Sequence, residues 1–243
     1  MKKIWYIVAS VCTAIIALWF VANVTGMLQR YKISTSANEP TIKIGDHVFI
    51  SNLKTPRLLN YVVFASSYED SILAIAYQSG TTKNSRYMHR LCGMPGDTIK
   101  MVDAVLFVNN INVDEKLNVK NDFIITKEAF ALIGEEDMPQ EMDANTGFGI
   151  LKDSAFVRFD NSQIKKYQSK IKFSPNLNKD SISADGPFKW LDKNLRWTAD
   201  NFGPFIIPQD CYFVLGDNRH SAMDSRYTGF IKKADIKGVV LSK

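Results

Sequence analysis

The chain carries one long uninterrupted apolar run, Ile4 to Thr25, and after it only short ones. A hydrocarbon core of ~30 Å takes roughly 20 apolar helical residues, which this charge-free run supplies. Trp5, Tyr6, Trp19 and Phe20 stand near its two ends, where aromatic side chains settle at a membrane–water boundary. A cleaved leader has an apolar stretch of only ~7–15 residues that ends at small residues. Here the run is longer, and its exit, Asn23-Val24-Thr25-Gly26, has no Ala-x-Ala pattern. Residues 1–28 are therefore expected to be an uncleaved membrane anchor. Charge does not fix its direction, because Lys2 and Lys3 on one side face Arg30 and Lys32 on the other.

From Thr41 onward the pattern shortens to strand length. Brief apolar runs at His47–Ser51, Tyr61–Ala65, Ile72–Tyr77, Tyr87–Cys92, Thr98–Val102 and Val105–Val108 are separated by turn residues, and such runs return at Phe205–Ile207, Tyr212–Leu215 and Ile236–Leu241. Between them, Lys127–Ile133 and Ser162–Lys170 read as short helices and Phe173–Asp185 as an exposed polar loop. Gly45-Asp46, Gly96-Asp97 and Gly216-Asp217 sit beside runs and read as turns. Short strands at this frequency predict a mainly β protein, an antiparallel sandwich or barrel-like fold. Residues 29–243 are expected to form that domain, with 110–200 as a variable inserted lobe.

With 243 residues, 46% of them hydrophobic, there is enough chain for a good-sized core. That balance excludes a long disordered tail, a collagen-like repeat, a disulfide-stapled miniprotein and a polytopic membrane protein. The net charge of +5 is mild and the acids are interspersed, so no nucleic-acid partner is expected. His47, His89 and His220 are scattered, and Cys12, Cys92 and Cys211 lack zinc-type spacing. No metal or cofactor is expected. Cys12 reads as a small apolar filler in the anchor. Cys92 and Cys211 either bridge in an oxidising compartment or remain buried thiols, the second being favoured.

Three segments carry candidate chemistry. The first is Ser34-Thr35-Ser36-Ala37-Asn38-Glu39-Pro40-Thr41, directly after the anchor; the second is Tyr87-Met88-His89-Arg90-Leu91-Cys92-Gly93-Met94-Pro95-Gly96-Asp97; the third runs Gly216-Asp217-Asn218-Arg219-His220-Ser221-Ala222-Met223-Asp224-Ser225-Arg226. In this order behind one anchor, they resemble the type I signal peptidases of the S26 serine-protease family. The resemblance spans nearly the whole chain apart from the middle stretch. It implies the family's β fold, a single-pass membrane protein with its C-terminal domain on the extracytoplasmic side, and signal peptides of exported preproteins as partners beside membrane lipid. It also implies a serine nucleophile, a base from the strand matching Tyr87–Cys92, and a third segment packed beside that base.

Two positions depart from the bacterial pattern. The family's Ser-Met-x-Pro-Thr places the nucleophile three residues before the proline, which without a gap is Ala37. One inserted residue, with Ala37-Asn38 replacing a single Met, makes Ser36 the nucleophile and Ser34 the hydroxyl that helps bind the oxyanion. His89 stands where bacterial members have lysine, as archaeal and endoplasmic-reticulum members do. Histidine starts near a pKa of ~6.5 against ~10.4 for lysine, so it needs less adjustment to act as a base. Such a base needs an orienting acid, for which Asp224 is the first candidate and Asp217 the second. The expected catalytic set is thus Ser36, His89 and Asp224, with Ser34 and Ser36 at the oxyanion. Arg90, Arg219 and Arg226 are expected to pair with Asp97, Asp217 or Asp224, and His220 to lie on the surface. Phe202, Phe205 and Trp197 read as plain core or as part of a membrane-facing surface. The leading expectation is a membrane-bound serine endopeptidase that removes signal peptides. The alternative, motivated by Ala37 and His89, is a non-cleaving homologue that binds signal peptides or a partner protein.

Overall fold

A computed structural model describes residues 2–67, 70–71, 85–139, 147–179 and 197–242. Helix α1 spans Lys2–Val24 and buries no residue against the rest of the protein. It is long and apolar enough to cross a membrane, with a mean hydropathy of 2.3. Its exit is tied down. Asn52 Nδ2 donates to Thr25 O at 2.8 Å, Ser51 Oγ to Met27 O at 2.6 Å, and Gln29 Nε2 to Asn23 O at 3.0 Å. These bonds satisfy backbone carbonyls at the helix end that have no partner inside the helix.

The strands follow in chain order: β1 (Gln29–Lys32), β2 (His47–Ser51), β3 (Tyr61–Phe64), β4 (Tyr87–Gly93), β5 (Thr98–Val102), β6 (Val105–Val108), β7 (Ile111–Asn112) and β8 (Lys120–Thr126). They continue with β9 (Gly149–Ile150), β10 (Ser154–Asp160), β11 (Ser174–Pro175), β12 (Phe202–Ile206), β13 (Cys211–Leu215), β14 (Ile231–Lys232) and β15 (Ile236–Ser242). A seven-stranded sheet has the order β1-β2-β15-β3-β4-β13-β14, and a four-stranded sheet has the order β12-β5-β6-β7. A further four-stranded sheet, β11-β8-β10-β9, is formed by the middle of the chain. Neighbouring strands pair antiparallel throughout, as the short alternating runs predict.

One core lies between the first two sheets, where Cys92, Ile99, Met101 and Leu106 meet Phe202, Phe205 and Phe213. Phe202 and Phe205 are thus core residues, with Trp197 packed against them. The middle sheet has its own core of Ile125, Phe130, Val157, Phe159 and Tyr167. Cys92 and Cys211 are free thiols, and burial pushes the Cys92 thiol up to about 12.

Several element bounds shift from the sequence expectation. The first helix of the middle stretch, α2, is Lys127–Phe130, and the second, α3, is Asn161–Tyr167, started by a capping box between Asp160 and Gln163. Strands β8 and β10 were not expected. Their registry pairs Arg158 with Asp122 across the sheet, at 2.5 Å between Nε and Oδ1, so charged residues stand inside strand-length runs and mask the alternation. Ser174–Pro175 pairs with β8 where a loop was expected. The run Ile72–Tyr77 lies outside the described residues.

Candidate active site

The hairpin of β1 and β2 brings the first segment to the site. Its register runs from Gln29 opposite Ile50, beside the helix exit, to Lys32 opposite His47. Gln29 to Ser34 is five steps along the chain, at most roughly 17 Å at ~3.3 Å each, so the loop at 33–46 starts close to the end of α1. The third segment fixes the loop. Asn218 N donates to Ala37 O at 3.0 Å, Asn218 Nδ2 to Ser36 O at 3.2 Å, and Thr41 Oγ1 to Asp217 Oδ2 at 3.0 Å. At Gly216 only glycine fits, because a Cβ there would lie 2.5 Å from Ala37 O and 2.3 Å from Ala222 Cβ. The start of β8 braces the same place: Lys120 N donates to Asp217 O at 2.8 Å, and Lys120 Nζ pairs with Glu39 at 3.2 Å.

A cavity of about 460 Å³ opens beside this loop. Its lining includes Ser34, Thr35, Ala37, Asn38, His89 and Ser221, with Val48 and Val63 among the apolar walls. The volume falls within the range of small-ligand sites. His89 lies on β4 opposite Val62 of β3 and is 5% exposed. Its Nε2 is 2.8 Å from Met223 O. A carbonyl only accepts, so Nε2 carries the proton and the neutral ring keeps its lone pair on Nδ1. That Nδ1 is buried and has no hydrogen-bond partner among the described residues. Desolvation lowers the His89 pKa below the usual histidine value, against the opposing pull of the Asp224 charge. The ring is therefore a neutral base near pH 7, with its basic nitrogen unpaired.

The expected residues gather only in part. Ser34 is exposed and lines the cavity with His89. Ser36 is half-buried, offers its carbonyl to Glu39 N at 3.0 Å and to Asn218, and is not among the residues lining the cavity. The residue that shares the cavity with His89 at this point of the loop is Ala37, 9% exposed.

Asp224 is fully buried as the N-cap of α4 (Ser225–Thr228). Its carboxylate accepts from Gly216 N at 3.1 Å and from Arg226 Nε and Nη2 at 2.9 Å each. Its charge reaches His89, but the hydrogen bond that orients the ring is donated by His89 Nε2 to the carbonyl of Met223, the residue before Asp224. Asp217 receives Arg90 at 2.7 and 2.5 Å and also the Tyr61 hydroxyl.

The other arginines differ from expectation in part. Arg226 pairs with Asp224 as expected, and Arg219 pairs with Asp114 at 2.6 Å, an acid outside the three segments. Among the described residues Asp97 takes no arginine; its Oδ2 accepts from Met94 N at 2.8 Å. His220 is not a surface residue. Its side chain is buried, with Nε2 2.8 Å from Asp200 Oδ2 and Nδ1 accepting from Asp122 N at 3.2 Å. Burial raises the Asp200 pKa, but the hydrogen bond and charge of His220, the Asn178 backbone bond and the Arg226 charge together hold the carboxyl below its usual range. Sequence reading missed Asn38, 2% exposed, whose Nδ2 donates to Met88 O at 2.7 Å. A carboxamide where the resemblance has an apolar methionine was the available signal.

The arrangement is one of antiparallel sheets behind a single apolar helix long enough to cross a membrane, with a histidine facing a cavity beside the loop after that helix. The family model for signal peptidase, peptidase S26, matches residues 4–242, and the chain belongs to that family. Signal peptidase I of Buchnera aphidicola subsp. Baizongia pistaciae is 25% identical over 229 residues, covering 89% of this chain and 69% of its own. Signal peptidase I P of Bacillus subtilis subsp. natto is 25% identical over 224 residues, covering 91% and 84% respectively. A crystal structure of a signal peptidase I from Enterococcus faecalis V583 aligns with 77% of this chain and 98% of its own at 20% identity, with a TM-score of 0.34. Family membership supports a role in signal-peptide removal, and the apolar helix supports membrane anchoring.

Proposed function

We propose that the chain, anchored by α1 with its sheets on the extracytoplasmic side, receives the signal peptides of exported preproteins in the His89 cavity and does not cleave them by serine chemistry. The carrying observation is that Ala37, not Ser36, shares the cavity with His89. A methyl group there has no proton to give and no lone pair to attack with, so position 37 supplies no nucleophile for acyl transfer, and the hydroxyls that share the cavity, those of Ser34, Thr35 and Ser221, belong to other points of its wall. What remains is recognition: an apolar cavity of peptide size, close to the helix exit, in a protein of the signal peptidase family.

A second reading is favoured by one observation, the unpaired Nδ1 of His89. A serine endopeptidase with Ser36 as nucleophile, His89 as base, Asp224 acting on the base through its charge and Ser34 at the oxyanion would use that lone pair. It requires Ser36 to turn into the cavity when peptide binds. Purified full-length protein in detergent, mixed with a radiolabelled preprotein, separates the two. The first reading expects intact preprotein with wild type and with Ser36→Ala, and a processed band only with Ala37→Ser. Processing by wild type that Ser36→Ala abolishes and Ala37→Ser leaves intact establishes the second instead.

A further inference from the structure

Four buried side-chain polar atoms lack a hydrogen-bond partner among the described residues: Asn38 Oδ1, His89 Nδ1, Asn121 Oδ1 and Asn218 Oδ1. Buried polar atoms are nearly always paired, so such exceptions point to a missing partner. Two of the four belong to residues lining the same cavity. Their chemistry is fixed by what surrounds them. Met88 O, which only accepts, holds the Asn38 amide nitrogen at 2.7 Å, so the other end of the carboxamide is the oxygen. Met223 O likewise holds the protonated nitrogen of His89 at 2.8 Å, so Nδ1 is the lone pair. Both orphans are therefore acceptors, and they rise from adjoining points, one tethered to Met88 and the other on the next residue of β4.

We infer that this pair makes the cavity a donor-reading subsite, which selects a peptide bearing a serine hydroxyl at the residue that enters it over one bearing alanine. The inference rests on the peptide-binding reading above. The wall also carries Val48, Val63 and Ala37, beside the hydroxyls of Ser34, Thr35 and Ser221 and the cations Lys32 and Arg86; its apolar part takes a small side chain, and a charged one enters that part only by losing its hydration. A serine adds to alanine one O–H donor, which an unpaired acceptor can take. An alanine leaves both acceptors as they were. Sites built to hydrogen-bond a ligand group discriminate against the analogue that lacks it, because their own polar atoms are then left unpaired. One such bond corresponds to roughly a tenfold difference in affinity.

The test uses full-length protein in detergent micelles and fluorescein-labelled synthetic signal peptides, in which each of the three residues before the cleavage point is singly alanine or serine. Fluorescence anisotropy is expected to show serine binding roughly tenfold tighter at one position, and parity there in Asn38→Leu, with a melting curve confirming that the variant is folded. A wild-type preference below twofold at every position overturns the inference, and so does a preference that Asn38→Leu retains. Peptides that bind without preference leave the groove reading standing. Peptides that do not bind at all defeat both.

Discussion

Arg90, Arg219 and Arg226 are buried as deeply as Asn38 and His89, all below a tenth exposed, yet the two groups are satisfied in opposite ways. Each guanidinium meets a carboxylate with at least two hydrogen bonds: Arg90 on Asp217, Arg219 on Asp114, Arg226 on Asp224. Bidentate pairs of this kind fix geometry as well as charge. Here Arg90 locks the third segment to β4, Arg219 ties it to Asp114, and Arg226 braces it internally through Asp224. Asn38 and His89 are each held by a single bond to a backbone carbonyl and keep a second polar atom unpaired. The fold spends its strongest polar contacts on the frame and leaves the groups facing the cavity half satisfied. That is the pattern expected where a ligand completes the bonding.

The contrast breaks most visibly at Arg226. Replacing it by methionine leaves Asp224 and Asp200, both fully buried, without their cation. Removing one partner of such a pair costs about 3–5 kcal/mol, and urea unfolding of Arg226→Met is expected to show a loss of that size. A loss below about 1 kcal/mol would remove the arginine frame from the account.

A smaller effect is expected from His89. Burial lowers its pKa, so the folded protein stays neutral there while the unfolded chain takes up a proton below ~6.5. Its contribution is therefore unaffected above that pH and turns against the fold as pH drops from ~6.5 toward the depressed folded value. Thermal melts at pH 7 and pH 5 are expected to show a smaller acid-side drop in His89→Gln than in wild type. Equal drops would mean that the ring is not held neutral.

The smallest change is expected at Asn38. Asn38→Leu removes one hydrogen bond and one unpaired acceptor together, so stability should stay within about 1 kcal/mol of wild type by urea unfolding.

The frame was legible in the sequence to the extent that its signals are local. An apolar run longer than a bilayer is thick and short strands punctuated by glycine and proline both come from neighbouring residues. The Arg90–Asp97 and Gly216–Arg226 segments announced their place by motif. The partners were not legible. Arg219 finds Asp114, 105 residues away, and His220 finds Asp200 across 20, because pairing is set by how sheets pack and not by spacing. β8 and β10 were missed because Asp122 and Arg158 interrupt their apolar alternation while pairing with each other. The register at Ala37 depends on which of four consecutive small residues, Ser34 to Ala37, turns toward β4, and turn geometry, not composition, decides that.

In the proposed function a signal peptide lies in the cavity beside His89. A signal peptide carrying a photoreactive phenylalanine derivative near its cleavage point, irradiated with the full-length protein in detergent and mapped by mass spectrometry, tests it directly. Crosslinks within residues 31–38, 85–89 and 221–223 are the expected result. Crosslinks confined to the middle sheet around Phe123 and Phe173, with none near His89, would contradict it.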